Sequence, residues 1–316
     1  MAINQVQFQK GLSMVEFMDR YGSEGQCEQA VLVSRWPQGF VCPRCSAAQH
    51  TTFRRDGLLY LQCSSCRHQC SLIAGSIFEH TKLGLTHWFL AMHLLTQSKN
   101  NVSALELKRH LGVCYKTAWL LKHKLMEVMR LREDSRRLTG RVEIDDAYLG
   151  GALPGGTPGR GSENKVPFIA AVQTTEAGQP VFACFAQVPF TKKALSDFAA
   201  KSLVRPLTVV SDGLACFAVL QEAGVHQPTV TGGGAASVKL PQFNAVNTVL
   251  SNLKTALGGT YHAFDFAKYA HRYLAELQYR FNRRFDLSAI LGRLVCACAA
   301  TSPKPARLLR LAEPCH

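Results

Sequence analysis

The stretch Arg141–Gly151, "RVEIDDAYLGG", decides how this chain is read. Val142 and Ile144 alternate with Glu143 and Asp145, the period of a strand with one apolar face. Such a strand presents a carboxylate, Asp145, near its end. Working outward, "VPFIAAVQTT" (166–175) and "PVFACFAQV" (180–188) read as two further apolar strands, reached through the Gly-rich connection "GTPGRGSENK" (156–165). "TKKALSDFAAKSL" (191–203) reads as a helix and "LTVVSDG" (207–213) as a buried strand ending in Asp212. "LACFAVLQEAG" (214–224) reads as a helix and "QPTVTGGG" (227–234) as a short strand leading into a loop. "NAVNTVLSNLK" (244–254) closes the series as an amphipathic helix. Val246, Val249, Leu250, Leu253 and Leu257 share one face, and Asn247, Ser251 and Lys254 share a neighbouring one.

This order is that of the ribonuclease H-like fold, a mixed α/β sheet with flanking helices. In that topology the strands ending at Asp145 and Asp212 are neighbours, so the two carboxylates can converge. Paired carboxylates bind hard divalent ions, which polarise a phosphodiester and activate water or a 3′-hydroxyl. The plain alternative is that Asp145-Asp146 is a strand-end turn and Asp212-Gly213 a turn into a helix. Asp146 follows Asp145 directly on a strand and is expected to point the other way. Glu143 points with Asp145 but lies deeper along the strand.

The first part of the chain carries different chemistry. "CPRC" (Cys42, Cys45) and "CSSC" (Cys63, Cys66) are two CxxC pairs with 17 residues between them. That spacing fits a four-cysteine zinc ribbon, with a hairpin at Asp56-Gly57 bringing the two knuckles together. Reduced, buried cysteines are the plain alternative. Cys27 and Cys70 read as spare thiols. No apolar run is long enough to span a bilayer, and the N-terminus lacks the layout of a signal peptide, so a cytoplasmic location at the nucleoid is expected.

The formal net charge of +14 points to an acidic partner, and nucleic acid is the commonest. The excess is spread over both halves. In the ribbon, Arg54 and Arg55 lie beside Asp56, with Arg44, Arg67 and His68 nearby. After it, "TKLGLTHWFLAMHLLTQ" (81–97) reads as a helix burying Trp88, Phe89, Met92 and Leu95. Ser103 is expected to cap a short helix, with Glu106 completing a capping box, and "LGV" (111–113) to turn into a second helix. This is the helix-turn-helix layout, which would bring Tyr115, Lys116 and Thr117 to DNA, with Lys122, His123 and Lys124 around an apolar stripe. A plain helical hairpin with a solvated basic face is the alternative. "REDSRRLTGR" (132–141) reads as a linker, and "HRYLAELQYRFNRR" (271–284) as a helix burying Tyr273, Leu277 and Phe281 and exposing Arg272, Arg280, Arg283 and Arg284 to DNA.

Taken in order, the ribbon, "AGSIFEHTKLGLTHWF", "LGVCYKTAW", "VEIDDAYLGG", "VVSDG", "NAVNTVLSNLKTALGGTYHAF" and "YLAELQYRFNRR" resemble the ISXO-like bacterial insertion-sequence transposases over roughly residues 20 to 285. The resemblance implies DNA cleavage and joining at inverted-repeat ends with Mg²⁺ or Mn²⁺, and Zn²⁺ in the ribbon. It implies Asp145 and Asp212 as the first two metal ligands. The third falls on Asn247, where many relatives have Glu and some Asn or His. It further implies Lys254 as a basic residue seven positions on, which would meet a phosphate as a point charge. Asn in place of Glu leaves two formal charges in the metal set instead of three. Asn244 is a candidate cap of the helix and Asn252 a candidate DNA contact.

The expected organisation is an N-terminal helical segment (1–25), a zinc ribbon (26–75), a helix-turn-helix region (76–135), a ribonuclease H-like catalytic domain (141–300) and a basic tail (301–316). The expected function is a DNA transposase acting on double-stranded DNA as a homo-oligomer, away from membranes. The alternatives are a catalytically inactive DNA-binding regulator, suggested by Asn247, and a structure-selective nuclease without joining activity.

Overall fold

A computed structural model describes residues 9–150, 162, 164–229, 240–261 and 265–311. Most of the Gly-rich connection, the loop from Val230 and His262 fall outside these residues. The described residues form two compact units, one drawn from 9–128 with 285–311 and the other from 129–284. Residues 285–300, expected with the catalytic domain, therefore group with the first unit.

The first unit starts with two short helices, α1 (Met14–Tyr21) and α2 (Glu24–Arg35), each opened by a reciprocal capping box, Ser13 with Glu16 and Ser23 with Gln26. An antiparallel three-stranded sheet follows in the order β1 (His50–Arg55), β2 (Leu58–Cys63), β3 (Gln69–Ser71). Its hairpin turns at Asp56 and Gly57, with φ of 50° and 78°, the positive values that a two-residue type I′ turn requires. In α3 (Leu85–Gln97) the expected Trp88, Phe89, Met92 and Leu95 are all buried. His93 is buried too, its ring 4.6 Å from that of Phe17 on α1. Ser103 accepts the Glu106 N–H at 3.1 Å to start α4 (Ala104–Leu111), but the Glu106 carboxylate lies 3.9 Å from His110 and does not complete a box. Gly112, at φ 65°, turns the chain into α5 (Tyr115–Glu133). The later helix Ile290–Ala300 packs on α2 and α3, with Cys298 against Met92.

In the second unit the sheet order is β6 (Pro180–Ala186), β5 (Val166–Thr174), β4 (Leu138–Leu149), β7 (Leu203–Ser211), β8 (Val225–Pro228). β4, β5 and β6 are mutually antiparallel, while β7 runs parallel to β4 and β8 parallel to β7. This mixed order is consistent with the expected ribonuclease H-like topology. Val142 and Ile144 on β4 face a core with Leu195 and Phe198 of α6 (Lys192–Ser202) and with Phe217. Each such fully buried side chain contributes roughly 2 kcal/mol. Helices α7 (Asn244–Gly258) and α8 (Phe266–Phe281) pack on β4, β5 and β6.

Three local readings change. Ala215–Glu222 is a 3₁₀ segment, not an α-helix. β8 begins at Val225, ahead of the expected strand. Arg132–Arg141 is no linker, because it holds the end of α5 and the start of β4. Within it Glu133, 4% exposed, accepts from Asn282 at 2.7 Å, from Arg136 at 3.1 Å, from Gln278 and from Arg283.

Candidate active site

The pairing of β4 with β7 ends at Glu143 opposite Val210, whereas β4 stays paired with β5 as far as Leu149. Among the described residues no strand pairs with that edge of β4 beyond Glu143, at the place where β7 ends and delivers Asp212. Carboxylate oxygens of Asp145, Asp146 and Asp212 all lie within 4.8 Å of one another there. The expectation that Asp146 points away from Asp145 is therefore corrected. The Cβ atoms of Asp145 and Asp146 still alternate along the strand, but where no strand pairs with that edge their carboxylate ends can turn toward it and converge. Local bonds hold the set in place: the Asp146 N–H donates to Asp145 Oδ1 at 2.9 Å, and the Leu214 N–H to Asp212 Oδ1 at 3.0 Å. Burial pushes the Asp145 carboxyl up to about 7, and the charges of Asp146 and Asp212 add to that, opposed by the Asp146 N–H and by Lys254.

Helix α7 lies over this edge. Asn247 and Lys254 line one cleft of about 930 Å³ together with Asp145, Asp146, Tyr148 and Lys165. The Asn247 Nδ2 is buried without a hydrogen-bond partner among the described residues. A half-turn of that amide would present its oxygen at the same place. Three gathered carboxylates and an amide whose nitrogen has no hydrogen-bond partner among the described residues form an oxygen-rich set that fits a hard divalent cation. The expected apolar face of α7 is buried at all five positions, Val246, Val249, Leu250, Leu253 and Leu257. Asn244 does not cap the helix, because Phe243 occupies the N-cap. Lys165, absent from the sequence reading, enters the cleft through the register Leu149 opposite Val166, and its Nζ lies 5.9 Å from the centre of the Tyr148 ring. Gly150, at φ 82°, sits where a Cβ would be 2.1 Å from the Asn164 carbonyl oxygen, so only glycine permits this close approach.

Residues 137–282 match the family described as "ISXO2-like transposase domain", and residues 22–69 match "Transposase zinc-ribbon domain". The chain thus carries one segment similar to an ISXO2-like transposase domain and, ahead of it, one similar to a transposase zinc ribbon. It is also similar to a Halobacterium salinarum protein described as an uncharacterized protein in transposable element ISH50. The two are 29% identical over 236 residues, which is 67% of this chain and 76% of that one.

The zinc ribbon has two matching knuckles. The Ser46 N–H returns to the Cys42 carbonyl at 2.9 Å and the Arg67 N–H to the Cys63 carbonyl at 3.1 Å, with Ser46 at φ 61° and Arg67 at φ 59°. The four sulfurs lie within 4.8 Å of one another, and the Cys66 N–H helps hold the Cys63 thiol down to about 6. Four clustered thiols, one of them poised as thiolate, fit a tetrahedral zinc ion.

The residues expected to meet DNA are placed variously. Tyr115 and Lys116 are exposed at the start of α5, with Thr117 half-buried, and Asn252 is exposed on α7. Lys122 is buried and donates to the Val102 carbonyl, and His123 is buried and stacked on Trp119. Lys124 is half-buried, bonded to the Ile77 carbonyl at 3.4 Å. Arg54 pairs with Glu28 at 2.6 Å, while Arg55 lies over the Phe53 and Tyr60 rings. On α8 the expected exposed arginine face is absent. Arg272 and Arg283 are buried, and burial holds the Arg280 guanidinium below its usual range. Arg283 bonds Glu133 and covers the Tyr279 ring, and Arg284 donates to the carbonyls of Phe281, Val181 and Pro180. Arg283 and Arg284 tie the end of α8 to Glu133 and to β6. Side-chain length on an amphipathic helix looks the same in sequence whether the head group reaches water or a buried acceptor.

Proposed function

We propose that the chain is an insertion-sequence DNA transposase that binds the terminal inverted repeats of its element and carries out metal-dependent cleavage and strand transfer. The supporting observation is the gathering of three carboxylates at the ends of two adjacent strands of an ISXO2-like transposase domain. Asp145, Asp146, Asp212 and the Asn247 oxygen would hold Mg²⁺ or Mn²⁺, which when bound neutralises developing charge on the phosphodiester and activates the attacking water or 3′-hydroxyl. Lys254 and Lys165 line the same cleft and meet the phosphates as point charges, fixed in place before the crowded anionic transition state forms. Tyr115, Lys116 and Thr117 at the start of α5, with Arg55 of the ribbon and Asn252, are the proposed DNA contacts.

Asn247 alone would favour an inactive regulator. Asp146 changes that balance, because it brings the count of clustered carboxylates to three without help from α7. Processing two ends together requires more than one copy of the chain in the complex.

The test is purified full-length chain with Mg²⁺ or Mn²⁺ and duplexes ending in the element's inverted repeats. Nicking and joining are expected from wild type and not from Asp145→Ala or Asp212→Ala. The proposal fails when wild type does neither with either ion, or when both variants match it.

A further inference from the structure

The strand that carries Asp145 also grips the helix that carries Asn247. α7 starts without a cap of its own: Phe243 at the N-cap makes no side-chain hydrogen bond, and the first turn has no acidic residue. A helix start of this kind leaves N–H donors without partners. Here the Val246 N–H donates to Glu143 Oε2 at 2.9 Å, so a carboxylate from another element serves as the cap. Glu143 is 1% exposed, and its other oxygen accepts from Arg141 Nη1 at 2.5 Å. Arg141 Nη2 in turn donates to the Gln242 carbonyl at 3.0 Å, in the 3₁₀ turn Pro241–Phe243 that leads into α7. A buried carboxylate persists only when paired and bonded, and this one has a donor on each oxygen.

The placing of this clamp is what gives it meaning. Val246 precedes Asn247 by one residue, and Glu143 precedes Asp145 by two on the same face of β4. Glu143 and Asp145 therefore belong to one rigid stretch of strand, and Val246 and Asn247 to one helical turn. We propose that Glu143 is a positioning residue that caps α7 from β4 and thereby sets the separation of Asn247 from Asp145, with Arg141 locking the approach of the helix. This rests on the reading of Asp145 and Asn247 as residues of the reaction site.

The experiment pairs hydrogen exchange of the full-length chain with strand transfer in Mn²⁺. Glu143→Met keeps the volume without an acceptor, and Glu143→Gln keeps an acceptor oxygen. In Glu143→Met the start of α7 is expected to exchange about 10-fold faster, with peptides of β4 and β7 unchanged. Its strand-transfer rate constant is expected to fall about 100-fold, with DNA affinity within about twofold of wild type. Glu143→Gln, which keeps an acceptor for the Val246 N–H but loses the one that Arg141 uses, is expected to lose clearly less than Glu143→Met in both. Arg141→Met, at a partly exposed position, should show the same pattern at smaller size, and it decides the matter where Glu143→Met does not fold. Unchanged exchange at α7 in the folded variant overturns the proposal. So do equal losses in the Gln and Met variants, or exchange that rises uniformly over β4, β7 and α7, as general destabilisation would give. Absence of strand transfer from wild type would count against the reaction and leave the exchange result to decide the clamp.

Discussion

Asp212 meets Asp145 across the point where β7 stops pairing with β4, their carboxylate oxygens within 4.8 Å. Asp146 joins them at the same edge of β4. Three like charges gathered in a half-buried place favour a divalent cation over empty space, and the number of charges sets the affinity. Asp146→Asn is therefore expected to weaken Mn²⁺ binding by about 10-fold or more, measured by calorimetry on the metal-free chain. Asn247→Asp is expected to tighten it, since it adds a carboxylate to the cleft that Asp145 and Asp146 already line. Equal affinity in wild type and Asp146→Asn would remove Asp146 from the metal set.

Arg283 and Lys116 separate structural from DNA-binding charge. Arg283 is buried against Glu133 and Tyr279, so Arg283→Met is expected to cost about 3 kcal/mol in urea unfolding and to leave the salt slope of DNA binding unchanged. Lys116 is exposed at the start of α5, so Lys116→Ala is expected to leave stability unchanged and to reduce that slope by about 1. The reverse pattern would return Arg283 to the DNA face.

Burial of His93 against Phe17 holds its imidazole below the usual 6.5, because charging it there costs hydration. A group whose folded value is depressed contributes its stability above the unfolded value and loses it as pH falls through the folded one. Urea midpoints of the full chain are expected to decline between pH 7 and 5, and His93→Phe to decline less. Parallel pH profiles would show that this ring carries none of the acid sensitivity.

The two cysteine knuckles leave the ribbon sheet with few apolar anchors: Leu61 is the buried hydrophobic of β2 apart from Cys63, and β1 is mostly exposed. Metal binding then supplies much of its folding energy. Chelation, or Cys63→Ser, is expected to open the segment between Trp36 and Ser71 to proteases while residues 129–284 stay resistant. A ribbon equally resistant with and without chelator would contradict a structural zinc.

Much of the second unit was legible as sequence. The alternation in "RVEIDDAYLGG", the run "LTVVSDG" and the stripe of α7 are local periodicities, and each became the expected strand or helix. The CxxC spacing and the Asp-Gly turn likewise marked the ribbon, because knuckle and hairpin geometry is set within a few residues. Ala215–Glu222 departed from its expected form only in the tightness of its turns.

What lies across the sheet was decided by tertiary structure alone. Nothing adjacent to Asp146 indicates that β7 ends beside it, and that ending is what brings three carboxylates together instead of two. Glu143 and Val246 are local to different elements, and their hydrogen bond exists only once α7 packs on β4. Arg283 and Lys122 carry the same charge in any sequence, but burial against Glu133 and the Val102 carbonyl turns them from DNA-facing cations into internal supports. The sequence by itself determined which elements form and which residues could do chemistry, since those follow from periods and spacings along the chain. Which of those residues meet was settled by packing, since burial and hydrogen bonding depend on groups far away in sequence.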